Sequence, residues 1–259
     1  MIRTRIAVTI LALAASAGVV LAQSASTKQL KVKSQKEAEA IQAMFQAPDP
    51  DARIAAAKDL ITKFADTDFK STAFYIMSFS AQQKADLENV VVYGEQALEA
   101  DDKNYGAMLL ISSALAQRTR EFDLDREEKL GRAEKLANAA MELLKTAPKP
   151  NPGITDEQWE AAKKDYTGQG YEGLGMAAMA RKNYAACASN LQLAVDSASQ
   201  PDPATLVRLG NCLGRVNKFD EGIAALDRAL NDAAAAPVVK QAATQEKMNL
   251  MKQKAAAAK

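Results

Sequence analysis

Residues 206–230 read LVRLGNCLGRVNKFDEGIAALDRAL, and residues 171–195 read YEGLGMAAMARKNYAACASNLQLAV. The two stretches share one pattern of large and small side chains, and the Leu-Gly pair at 209–210 lies 35 residues after the Leu-Gly pair at 174–175. A fixed period of this length predicts stacked helical hairpins and not a single closed globule. The faces of such stacks are extended surfaces suited to binding.

The same periodicity continues in weaker form toward the N-terminus. Ser78 and Ser112 take the place of the glycine and lie 34 residues apart. The charged stretch RTREFDLDREE at 118–128 lengthens the second weak unit. The sequence therefore predicts about eleven helices, no strand, and this all-α order: a degenerate helical hairpin at 34–70, two degenerate units at 71–147, a linker at 148–154, an extended helix with two clear units at 155–236, and a capping helix with a tail at 237–259.

The N-terminal residues have the pattern of an export signal. Arg3 and Arg5 precede an uncharged apolar stretch, and Val20-Leu21-Ala22 offers small residues for cleavage after Ala22. Cleavage would release a periplasmic or secreted protein that begins with a polar, flexible leader at 23–33 and has no membrane insertion. If it is not cleaved, the same apolar stretch is only just long enough to anchor the chain in a membrane.

Charge and composition exclude several functions. The signal takes two of the 33 basic residues and none of the 32 acidic ones, which leaves the mature chain a formal charge of −1. This balance gives no basic footprint for nucleic acid. The sequence has no histidine, which removes Ser-His and Cys-His nucleophile pairs and most zinc sites. We therefore expect no enzymatic activity, no cofactor and no metal site.

Two motifs imitate ligand sites. Gly168, Gly170 and Gly173 spell GxGxxG, but the residues before them have a helical pattern, whereas a dinucleotide site needs a strand-to-helix turn. Asp123 and Asp125 alternate as in a calcium loop, but Glu128 stands where the sharp turn of that loop needs glycine. Neither motif predicts a bound ligand.

Cys187 and Cys212 are the only cysteines, and each falls on a helix of one of the two clear units. Export would expose them to an oxidising compartment. Two interpretations stay open: a pair of small buried side chains, or a disulfide between neighbouring units. The geometry decides between them, and the sequence does not show it.

The repeated pattern resembles the tetratricopeptide repeat (TPR) family. The last unit carries it in Leu206, Leu209-Gly210, Leu213, Gly222, Leu226 and Ala229. The resemblance implies a right-handed superhelical solenoid of antiparallel hairpins, whose concave groove binds a protein or peptide segment. Together with the export signal and the missing catalytic groups, it implies a scaffold or assembly role in the cell envelope; the alternative is a self-associating structural protein without a groove ligand.

The resemblance also implies which residues line the groove, because the first helix of each unit faces it. Asn211 and Arg215 match places at which some family members clamp a peptide carboxylate, but the lysines of that clamp are missing. The set is mixed and methionine-containing, which suits an apolar segment; the alternative is that several members pack against the protein's own extended helix or N-terminal hairpin. The candidates are Tyr75, Phe79, Gln82, Leu109, Ser113, Gln117, Glu172, Met176, Met179, Val207, Asn211 and Arg215.

Overall fold

The computed structural model describes residues 24–27, 30–150 and 153–257, so the predicted export signal lies outside the described residues. Eleven helices and no strand occupy these ranges, as predicted. The helices are α1 (Gln35–Gln46), α2 (Pro50–Lys63), α3 (Lys70–Gln83), α4 (Leu87–Ala100), α5 (Tyr105–Arg118), α6 (Arg126–Thr146), α7 (Asp156–Ala180), α8 (Tyr184–Ser197), α9 (Pro203–Arg215), α10 (Phe219–Asn231) and α11 (Pro237–Ala257).

The helices form a stack. Each helix packs on the next one in the chain, α5 also contacts both α3 and α7, and α9 contacts α11. Contacts of this kind between alternate helices bring the first helices of successive hairpins side by side. The result is a helical solenoid whose N-terminal hairpin, α1 and α2, continues the stack.

Small residues of the repeat pattern permit close helix crossings. A Cβ atom added to Gly175 would lie 2.6 Å from Leu191 Cδ2, and one added to Gly210 would lie 2.6 Å from Leu226 Cγ. The two glycines and the two leucines hold equivalent places in the two clear units. The sequence repeat therefore corresponds to the same helix-to-helix contact made twice.

The same type of turn joins the two helices in three of the hairpins. Its central residue has a positive φ (Ala85 56°, Lys182 61°, Asn217 63°). In each, the next amide donates to a carbonyl five residues earlier, which satisfies an otherwise free helix-end carbonyl; the bonds are Asp86 N to Ala81 O, Asn183 N to Ala178 O and Lys218 N to Leu213 O, all at 2.9 Å. Between α5 and α6, residues 119–125 form a longer loop instead.

The predicted leader contacts the stack where it is described. The Ala25 amide donates to the Lys103 carbonyl at 3.0 Å, just before α5 begins. Val32 packs against the apolar cluster that α1 to α5 share. The Lys33 ammonium pairs with Asp66, at the turn after α2.

Local contacts explain where the long helix α7 begins and how the long helix α11 is held. Thr155 and Gln158 form the predicted capping box at the start of α7, with bonds of 3.1 Å and 3.0 Å. On α11, Leu250 is buried and fills the space that Gly214 and Gly222 leave open. This contact fixes α11 across the last hairpin.

Candidate binding groove

A pocket of about 240 Å³ opens on the face formed by α1, α3, α5 and α7, with one side chain from α2. Half of the predicted groove residues line it, each on a first helix of a hairpin. They are Tyr75, Phe79, Gln82, Leu109, Ser113 and Glu172. The remaining lining residues are Met44, Phe45, Arg53, Ile76, Leu110, Tyr166 and Gln169.

Helix α3 supplies most of one wall. Tyr75, Phe79 and Gln82 lie four and three residues apart, which places them on one face of the helix. The rings of Tyr75 and Phe79 stack with centroids 6.3 Å apart. Tyr75 is only 7% exposed, so the half-buried Phe79 and Gln82 form the accessible part of this wall, with the Tyr75 ring behind them.

Tyrosines crowd the inner part of the pocket. Tyr75 and Tyr166 line it, and Tyr166 meets the ring of Tyr105 edge to face at 5.2 Å. Burial raises the pKa of the Tyr75 phenol well above its usual value, and burial together with the neighbouring Tyr166 raises the pKa of Tyr105. These phenols stay neutral at physiological pH, so this part of the pocket offers aromatic faces.

Two charged side chains border the pocket, and their surroundings differ. The Glu172 carboxylate accepts hydrogen bonds from Thr205 Oγ1 at 2.8 Å and Arg208 at 2.9 Å. Burial raises the pKa of Glu172, and the Arg208 guanidinium opposes that rise. Arg53 donates to the neutral oxygens of Gln83, at 2.6 Å, and of the Asp49 backbone. The negative charge is thus compensated within the protein, while Arg53 keeps cationic character at the rim.

The other six predicted groove residues do not line this pocket. Gln117 is exposed and donates to Ser113 Oγ at 2.9 Å. Met176 is 5% exposed and lies in a core cluster with Ile111 and Leu130. Met179 and Val207 are half-buried against the core of the last two units.

The last two candidates are engaged near the C-terminal end. Asn211 donates to Glu246 of α11 at 2.7 Å. The Arg215 guanidinium lies over the ring of Tyr184 at 5.4 Å. Contacts within the chain therefore engage both residues, and they come from α11 and α8 and not from the extended helix α7 or the N-terminal hairpin.

Cys187 and Cys212 form a disulfide, with their Cα atoms 6.0 Å apart. The bond joins α8 to α9 and so ties the two clear units together. Of the two interpretations that the sequence left open, the structure has the bridge. Both sulfur atoms lie in the buried core of these units.

The sequence pattern missed the part of the pocket that comes from α1 and α2. Met44 and Phe45 are adjacent at the end of α1; Met44 is fully buried, whereas Phe45 is half-buried at the pocket. A pair of large apolar residues beside a proline-rich break was the available signal. The family pattern gave no register for this hairpin, so it did not predict which of its residues face the groove.

The GxGxxG motif is a packing feature. All three glycines lie within α7, where an added Cβ on Gly170 would come 2.6 Å from Met141 Cγ and one on Gly173 would come 2.6 Å from Ser112 Oγ.

The alternating acids of the charged stretch pair with a cation: Asp123 and Asp125 both contact the Lys129 ammonium, at 3.1 Å and 2.8 Å. Over the described ranges, no cluster of three or more metal-ligating side chains is found.

The fold defines a class of protein: a helical-hairpin solenoid of the TPR type. The crystal structure of a thermophilic TPR protein of Thermus thermophilus matches it with a TM-score of 0.55 and 14% sequence identity, over 82% of this chain and 99% of that chain. A structure of an assembly chaperone of RpL4 (Acl4, residues 1–338) matches with a TM-score of 0.45 and 11% identity, over 88% of this chain and 100% of that one. No protein-family model and no curated protein sequence matches the chain.

These likenesses bear on the fold alone. The order of helices, the stacked hairpins and the superposition with the bacterial TPR protein agree on a TPR-like solenoid. Folds of this type generally bind protein partners. In the described part of the chain, no helix is both long and apolar enough to cross a membrane.

Proposed function

We propose that this protein is an exported, non-enzymatic repeat protein that binds a polypeptide segment in the groove of its N-terminal hairpins. It acts as a scaffold or assembly factor in the cell envelope. The observation that carries this proposal is the open pocket at α1, α3, α5 and α7, to which first helices of successive hairpins contribute aromatic and aliphatic side chains.

The size of the pocket supports a polypeptide over a cofactor. Pockets for drug-sized ligands and cofactors span roughly 300–1,000 Å³, and this one is smaller at about 240 Å³. An apolar cavity of about 150 Å³ accommodates benzene. The pocket therefore suits one large apolar side chain, with the rest of a bound segment lying along the groove.

The export pattern and the disulfide support an envelope location. Disulfides persist in oxidising compartments, and the structure contains one between Cys187 and Cys212. The expected mature N-terminus is Gln23. Sequencing the N-terminus of the protein recovered from the envelope or medium tests this; a chain that keeps Met1 would support the membrane-anchored alternative.

A crosslinking pull-down from envelope extract tests the groove. Ser113→Trp fills the pocket from a half-buried helix position, and Val238→Ser changes an exposed residue of α11, away from it. We expect a protein captured by the wild type and by Val238→Ser to be lost with Ser113→Trp. Equal capture by all three chains would refute the groove as the binding site.

A further inference from the structure

The loop between α5 and α6 presents two large apolar side chains to solvent. Phe122 is 90% exposed and Leu124 is 107% exposed, the highest values among large apolar residues of the described chain. Neither contributes to the fold. Their neighbours in sequence are acidic, in the order Glu121, Phe122, Asp123, Leu124 and Asp125.

Interactions with the rest of the protein hold this loop in shape. The Glu121 carboxylate accepts a hydrogen bond from Lys182 at 2.5 Å, and the Arg120 amide donates to Asp123 at 3.2 Å. Arg126, at the end of the loop, donates to the Ala180 carbonyl at 2.6 Å. A loop ordered in advance loses little conformational entropy on binding, so Phe122 is presented as a ready-made anchor.

The same chain contains a pocket with the matching chemistry. It has room for one large apolar side chain, its walls carry the stacked rings of Tyr75 and Phe79, and Arg53 stands at its rim. An aromatic anchor next to carboxylates suits a site of aromatic faces beside a guanidinium. Within one copy the two do not meet, because Phe122 is almost fully exposed.

We propose that Phe122 of one copy inserts into the α1–α3–α5–α7 pocket of a second copy, with Glu121, whose side chain is half-exposed beside Lys182, facing Arg53 of that copy. This rests on the proposed function, because it identifies one polypeptide segment that the groove accepts. Loop and pocket are different surfaces. The copies therefore associate head to tail, or close as a dimer if both loops reach across.

Sedimentation velocity over a concentration series tests this with the mature chain. We expect the wild type and the surface control Val238→Ser to associate reversibly. Phe122→Ser removes the anchor, and Ser113→Trp blocks the pocket; each should weaken association by at least about tenfold, as expected for losing a buried aromatic side chain. Circular dichroism and thermal melting verify that each variant is folded, and Gln169→Trp replaces Ser113→Trp if the latter is not.

A mixing experiment isolates the specific contact. Phe122→Ser retains an intact pocket, and Ser113→Trp retains an intact loop, so an equimolar mixture should form a heterodimer that neither variant forms alone. Monomers at every concentration of the wild type, or association that survives Phe122→Ser, would overturn the inference. If the wild type stays monomeric while Ser113→Trp still abolishes capture from the extract, this inference fails and the proposed function stands.

Discussion

The N-terminal and C-terminal parts of the predicted groove differ in what covers them. Around α3 and α5, Tyr75, Phe79 and Ser113 border an open pocket. Around α9, Asn211 is bonded to α11 and Arg215 lies on Tyr184. The same repeat register therefore produces an open pocket at one end and an internal contact at the other. The repeat pattern sets the direction of a side chain, and the neighbouring elements decide whether a ligand can reach it.

Glu172 lies where the two parts meet. It borders the pocket, yet its carboxylate is held by Thr205 and Arg208 of α9. The disulfide between α8 and α9 and the packing of Leu250 stiffen the side beyond it. We infer that the C-terminal units act as a support against which the open N-terminal groove is built.

The largest expected effect comes from Met176, which the sequence placed in the groove and the structure places in the core. Met176→Glu would put an unpaired charge at a position that is 5% exposed, and we expect it to lower the free energy of unfolding by about 3–5 kcal/mol. Met176→Leu, which preserves volume, should cost less than about 1.5 kcal/mol. Urea denaturation measures both. If the Glu variant were as stable as the Leu variant, Met176 would lie on the groove surface and not in the core.

A smaller effect is expected from the disulfide. The bond closes a loop with a sequence separation of 25 residues, and the double variant Cys187→Ala, Cys212→Ala should lose about 3 kcal/mol of unfolding free energy. If the C-terminal units only support the groove, capture of a partner at a temperature where the variant is folded should not change. Loss of binding in a fully folded double variant would mean that the groove extends across α8 and α9.

The smallest effect is a pH dependence at Glu172. Burial raises the folded-state pKa of Glu172 above the usual value. At a pH between the unfolded-state and the folded-state pKa, the folded chain therefore binds more protons than the unfolded chain. The free energy of unfolding consequently falls as pH rises through this range. The decrease begins near the unfolded-state pKa of about 4.3 and is complete above the folded-state pKa. Relative to Glu172→Gln, the wild type should lose stability through this window in urea titrations. A wild type that instead gains stability would show that pairing with Arg208 outweighs burial.

The fold was largely predictable because the packing that holds it together is local and periodic. Gly175 and Gly210 mark helix crossings that only small residues permit, and their spacing is visible in the sequence. The capping box of Thr155 is likewise a local signal. In the first hairpin no such marker fixes the register, so Phe45 and Arg53 could not be assigned to the pocket.

The site was predictable only in part, because accessibility depends on contacts between distant elements. Asn211 and Glu246 are 35 residues apart, and their hydrogen bond follows from the way α11 crosses the last hairpin. In the sequence, Phe122 is only one member of the charged stretch at 118–128. The exposure of Phe122 depends on a loop that Lys182 and Ala180 of a neighbouring hairpin hold in place.

Site-specific photocrosslinking tests the contrast between the two parts most directly. A photoreactive side chain at position 113 probes the open pocket, and one at position 215, which is exposed on α9, probes the other part. With envelope extract and with the protein's own second copy as partners, we predict crosslinks to polypeptide from position 113 and none from position 215. Crosslinks from position 215 with none from position 113 would contradict the assignment of binding to the N-terminal groove.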